Sequence, residues 1–189
     1  VFSPEDGQKK DAPLVHDNFP ENKSLHFEVK VGDLAEAEAE SDIIADNVFK
    51  VHHVTHCCMG TSCAIADFDT NGKLTIWSQT QYPYNYKMDL APALGMHPGD
   101  IREMQPPVGG AFGSKLDVYP YEPIAALLAR RSGRPVKVTY TREEEFQSAP
   151  TRQPAIIHMR TGCKKDGTLT FRSTNVLLDN GAYTSWGPT

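Results

Sequence analysis

Two turn-and-strand units restrict this chain most: Phe68-Asp-Thr-Asn-Gly-Lys-Leu-Thr-Ile-Trp-Ser78 and Cys163-Lys-Lys-Asp-Gly-Thr-Leu-Thr-Phe-Arg-Ser173. Each places Asn-Gly or Asp-Gly between runs of alternating apolar residues, and such dipeptides tolerate the positive φ that tight hairpins need. A period of two sends one set of side chains to a buried face. The first unit therefore predicts a hairpin of Ala64–Phe68 and Leu74–Ser78, with Leu74, Ile76 and Ser78 on one face. The second predicts a hairpin within Ile156–Leu178, turning at Lys165-Asp166-Gly167. Their likeness raises a duplicated, hairpin-containing lobe; hairpin chemistry alone is the other explanation.

Helical signals lie among these strands. Pro83 suits the first turn of a helix that runs to Leu94, where Gly95 ends it, although Pro92 strains the last turn. Pro120 to Arg131 carries Ile124, Leu127 and Leu128 at helical spacing and stops at Gly133. Asp33 can cap a short helix through Ala39, and Arg142–Gln147 reads as a short acidic helix. Alternation of Leu25, Phe27, Val29 and Val31 predicts a half-buried strand over Ser24–Val31. Further strands are expected over Ile43–His56, Ile101–Met104 and Val136–Tyr140. Helices and strands are mixed without strict βαβ alternation, so the expected class is α+β, with mixed sheets and helices packed against them. Residues 1–23, rich in Pro, Asp, Asn and Lys, read as a lead-in or linker, and residues 24–189 as the domain proper.

A chain of 189 residues can bury its own core. The balance of 19 Lys plus Arg against 24 Asp plus Glu gives a net charge of −5, which excludes the clustered positive charge of a nucleic-acid or membrane-surface protein. No apolar run is long enough for a membrane span. Cys57, Cys58, Cys63 and Cys163 are too few for a disulfide scaffold and read as cytosolic thiols, which points to the cytoplasm. Val1 in place of Met suggests an excised piece or split subunit of a longer protein.

Three segments could carry chemistry. Pro107-Val-Gly-Gly-Ala-Phe-Gly-Ser-Lys115 lets the backbone approach a ligand, and Phe112 reads as a wall beside it. It is neither a Walker A loop nor a Rossmann fingerprint, because the spacings fail. His52, His53, His56, Cys57, Cys58 and Cys63 have the softness for zinc or copper. On a strand, however, His52 and His56 face away from His53 and Cys57, so structural roles fit better and no protein metal site is expected. Trp77-Ser-Gln-Thr-Gln-Tyr82 leaves a strand just before a helix, where polar side chains often face a cleft.

The glycine segment resembles the Gly-Gly-Gly-Phe-Gly-Gly-Lys loop of the molybdenum-cofactor-binding subunit in the xanthine dehydrogenase/aldehyde oxidase family. Leu74-Thr-Ile-Trp-Ser-Gln-Thr-Gln81 is similar to that family's strand ending in Ser-Thr-Gln. Tyr121-Glu-Pro-Ile-Ala-Ala-Leu-Leu-Ala129, Gly133-Arg-Pro-Val136, Thr141-Arg-Glu-Glu144 and Asn180-Gly-Ala-Tyr183 follow in the family's order, and Ala12-Pro-Leu-Val-His16 resembles its lead-in. The likeness covers essentially the whole chain.

The resemblance implies a molybdenum hydroxylase that oxidises an aldehyde or N-heterocycle with water as oxygen source. Its metal would be held by molybdopterin, with the cytosine dinucleotide form as one option. By position, Gln81 would hydrogen-bond a molybdenum oxo group, and Gly110, Ala111, Phe112 and Gly113 would pack the cofactor. Leu116 stands where purine-oxidising relatives carry a Glu, so it would line the substrate pocket without that carboxylate. Met59-Gly60-Thr61 replaces a Met-Glu-Pro. The family's general-base Glu falls beyond Thr189, so no catalytic residue is expected here. Glu122 and Glu143 to Glu145 read as helix-surface or structural acids. Implied partners are the remainder of the molybdenum subunit, an iron–sulfur subunit with 2Fe-2S clusters, an FAD subunit and a small-molecule substrate. The competing class is a non-enzymatic α+β binding or assembly module that keeps the scaffold without the cofactor.

Overall fold

The computed structural model describes residues 3–183. Its elements in chain order are α1 (Pro4–Gly7), α2 (Leu34–Ala39), β1 (Ile43–Val51), β2 (Cys63–Phe68), β3 (Leu74–Ser78), α3 (Pro83–Leu94), β4 (Ile101–Met104), α4 (Tyr121–Ser132), β5 (Val136–Thr139), α5 (Arg142–Ser148), β6 (Ala155–Cys163) and β7 (Leu169–Leu178). Short 3-10 turns occupy Pro20–Asn22 and Pro98–Asp100. The fold is α+β and divides into two compact units, Thr55–Arg152 and Val1–Val54 with Gln153–Thr189.

The Thr55–Arg152 unit is built on a sheet of order β4-β3-β2-β5, antiparallel except for the β3–β4 pair. The first predicted hairpin forms there, and Asp69 N–H donates to Lys73 O across its turn. Leu74, Ile76 and Ser78 are all buried, so the face read from β3 is the core face. Tyr86, Leu90 and Leu94 of α3 complete that core, with Ile101 of β4. Helix α3 begins at Pro83 and stops at Gly95, and Pro92 sits in its last turn, where the helix is about to end.

Helix α4 corrects one expectation. Ile124, Leu127 and Leu128 are each close to half exposed, while Tyr121, Glu122, Ala125, Ala126 and Ala129 form the buried face. The alanines of α4 lie against a sheet surface that includes Ala64 and Ala66 of β2. Small side chains on both partners let helix and sheet approach closely.

The other unit holds a three-stranded antiparallel sheet of order β1-β6-β7, which contains the second predicted hairpin. The two similar turn-and-strand segments thus occupy different sheets. Asp33 caps α2 by accepting from the Ala35 and Glu36 N–H groups at 2.8 and 3.1 Å. Strand β1 ends at Val51 rather than His56, because Val51 pairs with Ala155 and the next partner is Pro154, which has no N–H to offer. Ser24–Val31 forms no strand: no strand among the described residues supplies a ladder, and Phe27, Val29 and Val31 stay exposed. Alternation specifies a face only where a partner exists.

Gly162 of β6 is pressed between Ser41 and the Phe171 ring, and a Cβ there would overlap both. Gly162→Ala is expected to cost about 1–3 kcal/mol, since the ring must leave its place. Urea denaturation of the variant chain checks this; an unchanged midpoint would refute it.

Candidate functional site

The site is built where β3 leaves the middle of its sheet. Beyond Ser78 the chain runs through Gln79, Thr80 and Gln81 into α3. Thr80 is buried; its hydroxyl accepts from Tyr82 N–H at 3.2 Å and its carbonyl from Gln105 Nε2 at 2.6 Å. Gln81 lies against the glycine segment. Its backbone N–H donates to Lys115 O at 3.0 Å, and its Oε1 accepts from Gly113 N–H at 3.1 Å and Lys115 N–H at 3.4 Å. Two N–H donors on one oxygen fix the carboxamide's orientation. Nε2 is left as a donor without an acceptor among the described residues.

The glycine segment is folded back on residues 58–60. Gly60 N–H donates to Gly109 O at 3.1 Å, and a Cβ on Gly109 would come within 3.1 Å of the Gly60 backbone. The two segments meet main chain to main chain, which only glycine permits. Phe112 adopts the left-handed conformation, φ 52°, a strain of about 1–2 kcal/mol for a side-chain-bearing residue. It is 75% exposed, and its ring edge lies beside Gly110. Ala111 is not among the positive-φ residues, so the methyl group it carries in place of the family's glycine is accommodated. Ala111 O accepts from Ser114 N–H at 2.9 Å and Ser114 Oγ at 2.7 Å. Among the described residues, the N–H groups of Gly110, Ala111 and Phe112 have no acceptor.

Two cations that sequence reading did not single out complete the site. Lys115, only 2% exposed, donates from Nζ to Val108 O at 3.0 Å, Gly60 O at 3.2 Å and Gln79 Oε1 at 3.4 Å. Burial holds its ammonium below the ordinary lysine value. Arg142, at the start of α5, reaches Cys58 O and Met59 O. The lysine closed a motif that was already visible; nothing in the local pattern around Arg142 announced its contact.

Leu116 follows the loop and is half-buried. Glu122 is buried and belongs to the interior rather than the helix surface: it accepts from the Ser78 hydroxyl and from Tyr119 N–H. Glu145 is buried too and accepts from Ser62 N–H at 2.7 Å. Glu144 forms a capping box with Thr141 at the start of α5. Cys58 Sγ lies 3.3 Å from Ser114 Oγ, whereas His52, His53 and Cys57 are exposed. Among the described residues, no three His, Cys, Asp or Glu side chains converge as metal ligands.

A glycine loop with free N–H groups, braced by a glutamine at a strand end, has a counterpart. The family model of the molybdopterin cofactor-binding domain matches residues 15–189. The chain belongs to this family.

This cofactor-binding domain is 31% identical over 188 residues to the large molybdopterin subunit of nicotinate dehydrogenase from Eubacterium barkeri, covering 100% of this chain and 44% of that protein. It is 33% identical over 186 residues to a probable xanthine dehydrogenase subunit from Bacillus subtilis, covering 98% of this chain and 25% of that protein. Among solved structures, the aldehyde oxidoreductase from Desulfovibrio gigas superposes with a TM-score of 0.88 at 28% identity, over 98% of this chain and 20% of that one. The domain thus spans less than half the length of these relatives. No helix among the described residues is long and apolar enough to cross a membrane.

Proposed function

We propose that the chain supplies one wall of the molybdopterin pocket in a molybdenum hydroxylase that oxidises an aldehyde or N-heterocycle with water as oxygen source. The Gln81 carboxamide carries this reading. Its oxygen is occupied by the loop, and its Nε2 is left to donate to an oxygen of the cofactor. The unpaired N–H groups of Gly110, Ala111 and Phe112 offer further donors, and Phe112 gives the loop an apolar face. This donor set suits an oxygen-rich anionic ligand, so these residues fit the group the family binds. When bound, the cofactor supplies the redox chemistry; the chain's share is to hold it and exclude water.

The site's buried acids are taken. Glu122 and Glu145 already accept hydrogen bonds inside the domain, so proton abstraction falls to the remainder of the molybdenum subunit. Leu116 has no polar group and would favour substrates that need no carboxylate partner there. Electrons would leave through a 2Fe-2S subunit and an FAD subunit. We place the assembly in the cytoplasm and leave the cytosine dinucleotide form as one option for the pterin.

Gln81→Glu tests the reading, because a carboxylate can still accept both loop N–H groups but has no outward donor. In the molybdenum-loaded protein containing this chain, the variant is expected to retain about tenfold less molybdenum per chain by elemental analysis. The unfolding midpoint of the metal-free protein is expected to hold. Full retention of molybdenum would overturn the assignment of Gln81.

A further inference from the structure

Three consecutive carbonyls of one turn end on side-chain cations. Arg142 Nη1 donates to Cys58 O at 2.8 Å, Arg142 Nη2 to Met59 O at 2.7 Å, and Lys115 Nζ to Gly60 O at 3.2 Å. Lys115 then reaches two more segments, Val108 O at the entry to the glycine loop and Gln79 Oε1 just beyond β3. Among the described residues, neither cation has a carboxylate within ion-pair distance.

Burying an ammonium with no carboxylate paired to it is expensive, and an apolar chain of the same length would fill this space at no such cost. What an ammonium offers is direction: three donors on one atom, met here by three acceptors from three separate segments. The distances between the 58–60 turn, the strand exit and the loop entry are thereby set from one point. Arg142 fixes the same turn from the opposite end of its carbonyl row with a rigid planar fork. The turn, in its place, carries the Gly60–Gly109 contact that supports the loop.

We propose that Lys115 and Arg142 are positioning residues: a two-cation clamp on the carbonyls of residues 58–60 that sets the loop bearing Gly110, Ala111 and Phe112 before any cofactor arrives. The clamp deepens the cofactor reading and relies on it only for its purpose; the clamp's existence is tested without cofactor. Without it, the loop would have to be ordered at the moment of binding, at a cost in affinity.

The test is nuclear magnetic resonance on the full chain. In the wild type, the Lys115 ammonium should give a slowly exchanging Nζ–H signal, because all three of its protons are engaged; rapid exchange with water would overturn the proposal even if no variant folds. Lys115→Met is expected to lower the protection of the Gly60 and Gly113 amides by about tenfold while leaving Ile76 in β3 unchanged. Arg142→Met should lower Gly60 protection, and Arg142→Lys should restore only part of it, because an ammonium keeps the charge but not the two-pronged fork. Unchanged protection in Lys115→Met, or a loss spread equally to Ile76, would overturn the clamp. Retained molybdenum in Gln81→Glu alongside a loosened loop in Lys115→Met would leave the clamp standing and remove the Gln81 assignment.

Discussion

Replacing Glu122 with alanine is expected to cost about 3 kcal/mol or more, although the residue touches no ligand in our reading. Its carboxyl group ties the end of β3 to the segment that follows the glycine loop, through the Ser78 hydroxyl and Tyr119 N–H. Alanine would leave the buried Ser78 hydroxyl and the half-buried Tyr119 N–H without this acceptor, the first alone at about 1–3 kcal/mol, and open a cavity besides. Glutamine keeps the shape and an acceptor oxygen, so at acid pH, where Glu122 is protonated in the fold, Glu122→Gln should cost about 1 kcal/mol.

Glu122 also gives stability a pH dependence of predictable sign. Burial pushes its carboxyl from an ordinary 4.5 up to about 7, against the pull of the Ser78 and Tyr119 hydrogen bonds. Between those values the folded chain binds the proton more tightly than the unfolded one. The contribution is therefore fully present below 4.5 and is lost as pH rises through about 7. Its span is on the order of 3 kcal/mol. Urea midpoints of wild type and Glu122→Gln, followed from acid to mildly alkaline pH, isolate it: wild type should fall relative to the variant. Parallel curves would refute the assignment.

The second large effect comes from the alanine face of α4. Ala125 and Ala126 have no exposed surface, and across from them the sheet presents residues such as Ala64 and Ala66. Ala126→Leu adds three carbons where neither backbone can retreat, and is expected to cost about 3 kcal/mol, the upper end for overpacking. Leu127→Ala, on the half-exposed side, should cost less than about 1 kcal/mol, because its side chain keeps much of its contact with water in the fold. Thermal or urea unfolding of the two variants decides the matter. A larger loss from Leu127→Ala would mean that α4 buries its other face.

That reversal shows what the sequence could reveal. Periodicity registers large apolar side chains, and an alanine face is silent to it, so Ile124, Leu127 and Leu128 drew attention to the wrong side of α4. Elements whose ends carry local chemistry were legible: Asp33 caps α2 with its own carboxylate, and Pro83 and Gly95 bracket α3. β3 was legible because both of its faces differ in burial. Leu25 to Val31 alternated as convincingly, but the partner that would turn alternation into a strand is missing from the ladders of either sheet.

The site divides along the same line. The glycine loop stood out because it needs unusual residues at fixed places in the sequence, and Gln81 through its place in the family's strand-end motif. The brace between Gln81 Oε1 and the loop, the burial of Glu122, and the meeting of Lys115 and Arg142 on residues 58–60 join positions far apart in the chain. Nothing local records such meetings. Gly60, read as a departure from the family's Met-Glu-Pro, turns out to be where a side chain would obstruct the approach to Val108 and Gly109.

Strand β1 has a consequence for anyone handling the chain. Among the described residues it is an outer strand of its sheet, paired only with β6, and all nine of its residues are exposed, Ile43, Val48 and Phe49 among them. No strand among the described residues pairs with its other margin, which runs beside apolar side chains, the pattern on which strands of neighbouring molecules add to one another. Lys50 is the one basic residue along that margin to discourage such growth. At high concentration, self-association of the chain is expected to begin at this border, through the main chain of its nine residues.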